Sequence, residues 1–406
     1  MSNIIVQKYG GTSVADPKRI SGVAKRIISY RRKGVDLVVV VSALGDTTDN
    51  LLKLANQVSY LPSEREIDML ISTGEQISVA LLAMAIHKLG YEAISFTGAQ
   101  VGIITDSSHT QARIIRINAA RIKRELAEKK IVIVAGFQGA DLSREITTLG
   151  RGGSDLTAVA LAKVLKAKAC EIYTDVEGIY TADPRIVPAA RKLEMVSYDE
   201  MLEMASRGAQ VLQTRCVELA KRFNIPIIVR SSFSSKGGTM ISKEAKKMEK
   251  VVVSAVTLNK NESKITIRDL PDRPGVAAKI FKIIAQEGIN VDMIVQNISR
   301  TGYTDLSFTA ATDNLARTLR AARKASEEIG GGTVSADRDI AKVSIVGVGM
   351  KSHSGIAAGM FDILAKNKIN IEMISTSEIS ISCVIRKRLA QRAVRAIHKQ
   401  FKLEKP

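Results

Sequence analysis

The chain is poor in the residues that build disulfide frameworks, zinc sites and base-stacking surfaces. Its 406 residues include three cysteines, four histidines, no tryptophan and 4% aromatic residues. Cys170, Cys216 and Cys383 lie far apart and are odd in number, so they predict neither a disulfide framework nor a zinc site. We therefore expect a reducing, cytoplasmic setting and no metal centre built from protein ligands.

Long apolar runs are also missing. No run approaches the ~18 residues of a membrane-spanning helix. The first six residues lack both the basic region and the apolar region of a secretory signal. The composition, 45% apolar and 25% charged, is ordinary for a globular protein and excludes a mainly disordered or fibrous chain. The length predicts two to four domains.

Acidic residues are comparatively scarce. Against 41 Asp and Glu stand 60 Lys and Arg, a net charge of +19, and such a surface attracts polyanions. The basic residues recur through predicted helices, for example at 31–33 and 386–395, as they do on solvated helix faces. Because aromatic residues for base stacking are few, we do not expect nucleic acid as a partner, nor a membrane.

An internal repeat gives the clearest architectural prediction. Residues 275–294 and 355–374 match at a constant offset of 80, with identical pairs such as Gly275/Gly355 and Asn290/Asn370. The pattern of the first copy, 261–339, predicts a βαββαβ module. The second, 340–406, stops after its last helix and lacks a fourth strand. We predict that the segment 250–260 contributes a strand, at Lys250–Val256, which completes the second module.

The first 235 residues alternate predicted strands and helices, which is typical of a mostly parallel sheet between helical layers. Helices are predicted at 64–88 and 111–128, among others. The segment 236–249 is rich in Ser, Gly and Lys and is predicted to be a linker. The predicted fold class is therefore α/β, followed by two ferredoxin-like modules.

Two glycine-rich turns each open a helix in the first domain. Lys8-Tyr9-Gly10-Gly11 follows the first strand, where a helix N-terminus and a lysine would favour a phosphate, although the spacing is not that of a Walker loop. Gly150 to Asp155 repeats the pattern, and the planar fork of Arg151 suits a carboxylate. The alternatives are a plain turn with an exposed lysine and a simple helix cap at Ser154 or Asp155.

Two further segments suggest binding. Gly74 lies inside a helical stretch, which indicates a break or a close contact. Beside it, Glu75 could receive an ammonium group or lie on the surface. The segment Tyr173–Arg185 leaves a strand and turns twice. Ligands bind at the carboxyl ends of strands in open α/β sheets, so this segment suits a nucleotide; an ordinary loop is the alternative.

Taken in order, these segments resemble the motifs of the aspartokinase family, within the amino acid kinase superfamily, and the repeat resembles its two C-terminal ACT domains. The resemblance covers essentially the whole chain. It implies an amino acid kinase catalytic domain at 1–235. It also implies ATP-dependent phosphorylation of the L-aspartate β-carboxylate with Mg²⁺, the first step towards lysine, threonine and methionine. The alternatives are another small-molecule kinase of this fold and a catalytically dead amino-acid-sensing protein.

The resemblance also assigns roles within the catalytic domain. Lys8 would stabilise the transferring phosphoryl group, Asp155 would orient Lys8, and Arg151 would hold a carboxylate of aspartate. The implied substrate-binding residues are Thr47, Glu75, Arg151 and Ser154. The implied ATP-binding residues are Lys8, Tyr9, Gly10, Gly11, Ser42, Thr174, Asp175, Tyr180, Asp183 and Arg185. Gln210 stands where many family members carry a lysine that reaches the ATP phosphates.

The ACT modules imply feedback inhibition by lysine and/or threonine and a homodimer or higher oligomer. A helix N-terminus suits the carboxylate of such a ligand, and an aspartate suits its ammonium. The predicted residues in the first module are Asp272, Gly275, Val276, Ala277, Asn290, Asp292 and Gln296. Those in the second module are Ile356, Ala357, Asn370, Ile371, Thr376 and Ser377.

Overall fold

The computed structural model describes residues 3–209, 211–243, 252–296 and 302–405. The chain divides into two compact units. Unit 1 comprises Met1–Ile179, Lys192–Ala205 and Gln210–Lys247, and unit 2 comprises Tyr180–Arg191, Ser206–Ala209 and Met248–Pro406. Parts of three predicted features lie outside the described residues: Gln210, residues 244–249 of the predicted linker, and the first two residues of the predicted strand at 250–256.

Unit 1 is an α/β unit. Its strands are β1 (Ile4–Tyr9), β2 (Asp36–Val41), β3 (Ala93–Phe96), β4 (Ile103–Thr105), β5 (Ile114–Ile117), β6 (Ile131–Ala135), β7 (Gln138–Ala140), β8 (Ile146–Thr148), β9 (Ala169–Thr174), β10 (Met195–Ser197), β11 (Ile227–Ser231) and β12 (Thr239–Ser242). Its helices are α1 (Pro17–Arg32), α2 (Thr47–Val58), α3 (Glu64–Ile71), α4 (Thr73–His87), α5 (Ala120–Ala127), α6 (Gly153–Leu165), α7 (Tyr198–Ser206) and α8 (Thr214–Phe223).

The main sheet has the order β10-β12-β11-β9-β1-β2-β6-β3. All its pairings are parallel except that of β11 with β12. Strand β2 contains an unbroken valine run, Val38–Val41, in which every residue is buried, as expected of a central parallel strand covered on both faces. Because β1, β2 and β9 run in the same direction, their carboxyl ends meet at one edge of the sheet.

Helices cover the sheet with their apolar faces. Helix α1 begins at Pro17, and the side chain of Asp16 accepts a hydrogen bond from the N–H of Arg19 at 2.9 Å, a standard N-terminal cap. Its buried residues, Val23 and Ile27 among them, share one core cluster with Leu82 of α4 and with Val39 and Val41 of β2. This packing fixes the strand order around β1.

The predicted helix at 64–88 is two helices in the structure, α3 and α4, with Ser72 between them. The amide of buried Gln138 donates to the Ser72 carbonyl at 2.7 Å, which satisfies a backbone group at the break. By length and composition the whole stretch Glu64–His87 could cross a membrane, but half of its apolar 18-residue window is buried inside the unit. The buried helices of folded cores pass the same test.

The predicted helix at 111–128 is partly wrong. Its first part is strand β5, and only α5 at its end is helical. Three β-branched isoleucines, Ile114, Ile115 and Ile117, favour a strand, and β5 pairs with β4 at the edge of a second small sheet, ordered β5-β4-β7-β8. None of the four strands of this small sheet was predicted from the sequence.

Unit 2 contains the repeat. Its strands are β13 (Ala255–Asn259), β14 (Ser263–Pro271), β15 (Val291–Gln296), β16 (Tyr303–Ala310), β17 (Thr333–Asp337), β18 (Ile340–Val346), β19 (Met373–Thr376) and β20 (Ser380–Arg386). Its helices are α9 (Val276–Gln286), α10 (Leu315–Ile329), α11 (Ile356–Lys366) and α12 (Ala390–Gln400).

The repeat forms two four-stranded antiparallel sheets. One has the order β15-β16-β14-β17 and the other β13-β18-β20-β19. The second sheet takes its edge strand, β13, from the chain that precedes the first module, and β13 pairs with β18 from Ala255/Val346 to Asn259/Lys342. The strand therefore lies later than the predicted 250–256. The boundaries proposed at 1–235, 236–249, 250–260, 261–339 and 340–406 stay predictions.

Candidate active site

The first site element is the turn after β1. Lys8, the penultimate residue of the strand, extends its ammonium group to the carboxylate of Asp155 in the first turn of α6, with 2.7 Å between Nζ and Oδ1. Both side chains are largely buried. A Cβ added to Gly10 would lie 3.6 Å from Lys8 Nζ, so the ammonium group lies beside the Gly10 backbone. The ion pair thus brings together the two glycine-rich turns found in the sequence.

The two loops next to Lys8 touch through their backbones. The N–H of Gly45 donates to the Gly11 carbonyl at 3.1 Å, and a Cβ on Gly11 would lie 2.8 Å from the Ala43 carbonyl oxygen. Real Cβ atoms do not approach so closely, so the sequence needs glycine there. The N–H of Ser42 also donates to the Tyr9 carbonyl at 3.1 Å. The structure therefore brings Ser42 to the same edge as Gly10 and Gly11.

The ring of Tyr9 does not belong to this edge. Successive side chains of a strand point to opposite faces, so Tyr9 points away from the face that carries Lys8. It is fully buried and stacks on Tyr173, with 4.7 Å between ring centroids. The predicted nucleotide contact of Tyr9 therefore stays a prediction for its backbone, because its ring is enclosed in the core.

Glu75 is buried at the start of α4. Its Oε1 accepts a hydrogen bond from the N–H of Ala43 at 3.0 Å, whereas Oε2 has no hydrogen-bond partner among the described residues. Burial raises the pKa of Glu75 to about 7. A buried carboxylate oxygen without a partner is costly, and an arriving cation would stabilise the charged form.

Gly74 brings Glu75 to its position. A Cβ on Gly74 would lie 2.7 Å from the Cβ of Ala43 and 3.5 Å from Cγ2 of Thr47, so only glycine allows α4 to approach the loop after β2. Thr47 begins α2, and its hydroxyl donates to the Leu44 carbonyl at 2.6 Å. Two predicted substrate-binding residues, Thr47 and Glu75, thus lie close together.

The turn before α6 displays Arg151. Gly150 and Gly152 flank it with φ values of 74° and 73°, a left-handed conformation that glycine adopts without strain. Arg151 itself is exposed. Ser154 is buried in the first turn of α6, next to Asp155, and it packs so closely on Gly136 that a Cβ there would lie 2.7 Å from Ser154 Oγ.

Sequence reasoning missed Asp68. This carboxylate is fully buried on α3 and accepts hydrogen bonds from Thr148, Thr110 and His109. The available signal was its spacing of seven residues from Glu75, which places two acids on one helical face. Nothing else in the local sequence distinguishes Asp68 from an exposed helical acid.

The predicted nucleotide residues divide between the two units. At the end of β9, the Thr174 hydroxyl donates to Asp175 at 2.9 Å, in unit 1. Tyr180, Asp183 and Arg185 lie in a segment that belongs to unit 2. There the Arg185 guanidinium pairs with Asp183 at 2.8 Å, and hydrogen bonding to Arg185 lowers the pKa of Asp183.

The predicted ligand site of the first ACT module surrounds the start of α9. Gly275 precedes the helix with a φ of 95°, and an added Cβ would meet nothing within 4 Å. Val276 is buried and Ala277 partly buried. The other predicted residues of this module are polar and exposed to solvent: Asp272, Asn290, Asp292 and Gln296.

The second module shows the same arrangement at the start of α11. Gly355, the repeat counterpart of Gly275, has a φ of 88° and open space beside it. The predicted residues that are partly buried there are Ile356, Ala357 and Ile371, and those that are exposed are Asn370, Thr376 and Ser377.

Asp292 already has cationic partners. Its carboxylate pairs with the ammonium group of Lys342 and with the Arg207 guanidinium, the latter at 3.0 Å. Lys342 is buried on β18 and also pairs with Glu262 at 2.8 Å. The predicted role of Asp292, to receive a ligand ammonium, would therefore require competition with these cations.

Groups that could cage a metal ion are not seen in the described part of the chain. No three or more His, Cys, Asp or Glu side chains converge there. Mg²⁺ in phosphoryl-transfer sites is commonly held by one or two carboxylates together with substrate phosphates and water, and exposed Asp175 offers such a carboxylate.

With this geometry described, comparison with known proteins is informative. Residues 3–231 match the amino acid kinase family, and residues 265–327 and 343–401 each match the ACT domain. The aspartokinase of Pseudomonas aeruginosa is 50% identical over 405 residues, which cover 99% of this chain and 98% of that protein. The chain belongs to the aspartokinase family.

Solved structures agree with this family assignment. Escherichia coli aspartokinase III in complex with aspartate and ADP, in the R-state, is 27% identical, with a TM-score of 0.84 and coverage of 98% of this chain and 99% of that one. The same enzyme in complex with lysine and aspartate, in the T-state, gives a TM-score of 0.77 over 98% and 100% of the two chains at 27% identity. The predicted amino acid kinase fold with two ACT modules is confirmed.

Proposed function

We propose that this family member transfers the γ-phosphoryl group of ATP to the β-carboxylate of L-aspartate, giving 4-phospho-L-aspartate and ADP. The observation that carries the proposal is the Lys8–Asp155 ion pair, which joins two glycine-rich turns at the carboxyl edge of the sheet. The related structure with aspartate and ADP supports the choice of both substrates.

The acceptor site is proposed to read both charges of the amino acid. Glu75, whose Oε2 has no hydrogen-bond partner within the described part of the chain, receives the ammonium group. The exposed fork of Arg151 receives a carboxylate. Thr47 and Ser154 line the same site. Together, Glu75 and Arg151 would favour an amino acid acceptor over a carboxylate without an amino group. Such a carboxylate would leave the buried charge of Glu75 unpaired, which costs free energy.

The donor site is proposed to hold ATP along the backbones of Gly10 and Gly11, with Ser42, Thr174 and Asp175 nearby. Tyr180, Asp183 and Arg185 stay predicted ATP-binding residues. Lys8 neutralises charge on the transferring phosphoryl group, and Asp155 keeps the ammonium group of Lys8 in place. A carboxylate is already nucleophilic, so these residues align two anions rather than abstract a proton. Mg²⁺, arriving with ATP, would supply further charge neutralisation.

The ACT modules are proposed to bind lysine and/or threonine as feedback inhibitors of a cytoplasmic enzyme that opens the route to lysine, threonine and methionine. The lysine complex of the related T-state enzyme supports lysine. Exposed Ile294 and Ile374, at repeat-equivalent positions on β15 and β19, support assembly into a homodimer or higher oligomer through these modules.

An acceptor panel tests the proposed activity. ADP release is measured with L-aspartate, L-glutamate, N-acetyl-L-glutamate and succinate, each with ATP and Mg²⁺. We expect release with L-aspartate alone at low millimolar concentration, and loss of release with succinate because it lacks the ammonium group. Turnover of another acceptor in preference to aspartate would refute the substrate, and no turnover with any acceptor would favour a sensing role.

A further inference from the structure

A buried carboxylate lies beneath the turn that displays Arg151. Asp68 has no solvent exposure. Its two oxygens accept hydrogen bonds from the Thr148 N–H at 3.0 Å, the Thr148 hydroxyl at 2.5 Å, the Thr110 N–H at 3.0 Å and His109 Nδ1 at 2.8 Å. One carboxylate of α3 therefore gathers donors from two segments that lie about forty and eighty residues further along the chain.

These two segments frame the Arg151 turn. Thr148 is the last residue of β8, so Asp68 fixes the point at which the turn begins. The carbonyl oxygen of Thr110 lies 3.1 Å from the position that a Cβ on Gly150 would occupy, so the second anchored segment packs directly against the turn. Both the origin of the turn and the surface on which it rests are therefore tied to one side chain.

The other side of the turn is held independently. The Arg215 guanidinium donates to the Leu149 carbonyl at 2.7 Å and to the Ala112 carbonyl at 3.1 Å. The side chain of Gln213 fills the place where a Cβ on Gly152 would be. The turn is thus braced on both flanks, while Arg151 at its tip stays exposed.

The Asp155 side of α6 has its own supports. The Thr157 hydroxyl donates to the Gly153 carbonyl at 2.8 Å and accepts from the Phe137 N–H at 3.2 Å. These bonds hold the first turn of α6 without Asp68. A disturbance at Asp68 should therefore reach Arg151 more strongly than it reaches Asp155 and Lys8.

We propose that Asp68 is a positioning residue for the acceptor site: through Thr148 and Thr110 it sets the place of the Arg151 guanidinium, and so it governs affinity for the acceptor carboxylate rather than for ATP. A bidentate fork needs accurate alignment with its carboxylate, so a small shift of the turn weakens binding. The inference rests on the proposed function, which places an aspartate carboxylate against Arg151.

The test is Asp68→Asn, which keeps the shape but turns one acceptor oxygen into a donor that faces N–H groups. We expect the aspartate KM to rise about tenfold or more, as misplacement of a clamp does. The ATP KM and the kcat at saturating aspartate should stay within about twofold. The matched control is Asp106→Asn, since partly buried Asp106 accepts hydrogen bonds from the N–H groups of Ser108 and Arg113 in the same loop. It should leave the aspartate KM unchanged.

A second pair of variants covers the case in which Asp68→Asn fails to fold. Thr148→Val removes the hydroxyl that donates a hydrogen bond to Asp68, and Thr148→Ser keeps this hydroxyl. Valine should raise the aspartate KM and serine should not. Equal effects on the aspartate and ATP KM values, or no difference between valine and serine, would overturn the proposal.

A readout without turnover separates this inference from the proposed activity. Hydrogen exchange of peptides covering 149–153 should accelerate in Asp68→Asn or Thr148→Val and stay at the parental rate in Asp106→Asn. Unchanged exchange would refute the positioning role whatever the substrate is. A parent chain without aspartate-dependent ADP release would instead refute the proposed function, and the exchange result would still decide the positioning role.

Discussion

Two charged side chains, Lys8 and Glu75, sit where water is largely excluded, and the same residues carry the proposed chemistry. Lys8 has an anionic partner in Asp155, so its charge is compensated in the protein alone. Glu75 lacks a cationic partner, and its Oε2 has no hydrogen bond among the described residues. Under the proposed function, Lys8 contacts a phosphate group and Glu75 gains a cationic partner in the ammonium group of aspartate.

Lys8→Ala should reduce kcat by at least ~100-fold, since removal of one transition-state charge partner usually costs that much. The aspartate KM should change little, because Glu75 and Arg151 are untouched. Steady-state ADP release measures both constants, and Lys18→Ala, on the exposed start of α1, is the matched control. Near-parental turnover of a folded Lys8→Ala protein would remove Lys8 from the reaction.

The pH dependence of aspartate binding should report Glu75. Burial raises the pKa of Glu75 to about 7, and only the charged form attracts an ammonium group. The aspartate KM should therefore be flat above about pH 7 and rise towards tenfold per unit below it. Glu75→Gln should raise KM and abolish this dependence, whereas Glu66→Gln, at an exposed position of α3, should do neither. A parental KM that is independent of pH from 5.5 to 8.5 would contradict this role.

The same pKa has a consequence for stability. A carboxyl whose pKa is raised on folding destabilises the folded state when it is charged. The cost is absent below about pH 4.5 and fully present above about pH 7. Glu75→Gln should therefore raise the unfolding temperature at pH 8 and leave it nearly unchanged at pH 4.5. A larger gain at the acidic pH would mean that burial does not govern Glu75.

At the scale of elements, the two ACT modules exchange reciprocal ion pairs. Lys342 of the second module pairs with Asp292 of the first, and Lys264 of the first pairs with Glu372 of the second. Asp292 and Glu372 are repeat equivalents. The two ion pairs differ in their additional partners. Glu372 also pairs with Arg386 at 2.7 Å, so it keeps a cationic partner if Lys264 is removed. Lys342, in contrast, pairs with both Asp292 and Glu262.

This asymmetry predicts unequal costs of mutation. Lys342→Met leaves buried Glu262 without the cation it pairs with and should destabilise β18 by about 3 kcal/mol. Lys264→Met should cost clearly less, because Arg386 remains beside Glu372. Hydrogen exchange of peptides covering Ile340–Val346 measures the difference. Equal protection in the two variants would show that the reciprocal pairs contribute alike.

Elements with strong local signals were predictable from the sequence. The valine run of β2 and the capped start of α1 need no tertiary information, and the internal repeat predicted two similar βαββαβ modules. The helix predicted at 111–128 failed because β5 is held by its partner β4, a contact that the local pattern does not contain. The hydrogen bonds that Asp68 accepts and the burial of Tyr9 likewise depend on segments that only folding brings together.

At the scale of the whole molecule, the chain passes repeatedly between its two units. Residues 180–191 and 206–209 lie between parts of unit 1 in sequence, yet they belong to unit 2. The Thr181 hydroxyl contacts buried His398 of α12 at 2.9 Å, and Arg395 donates to the Ile186 carbonyl at 2.9 Å. The segment that carries three proposed ATP residues is thus packed on the second ACT module.

Regulation should be separable from catalysis. Gly275→Asp places a negative charge at the start of α9, where a ligand carboxylate is proposed to bind, and it should relieve inhibition by lysine or threonine while leaving uninhibited kcat within about twofold. Gly288→Asp is the matched control, since Gly288 also has a positive φ and open space but lies past the other end of α9. Relief by both variants would indicate general damage to the module. No inhibition of the parent by either amino acid, alone or together, would refute the proposed regulation.

The central claim is that the β-carboxylate of aspartate accepts the phosphoryl group, and trapping the product tests it most directly. The chain is incubated with ATP, Mg²⁺ and L-aspartate, and the acyl phosphate is reduced with borohydride. Phosphorylation of the β-carboxylate predicts homoserine, formed in amounts that match ADP and lost in Lys8→Ala. Appearance of 3-amino-4-hydroxybutyrate, the product of the other carboxylate, or ADP release without either alcohol, would contradict the account.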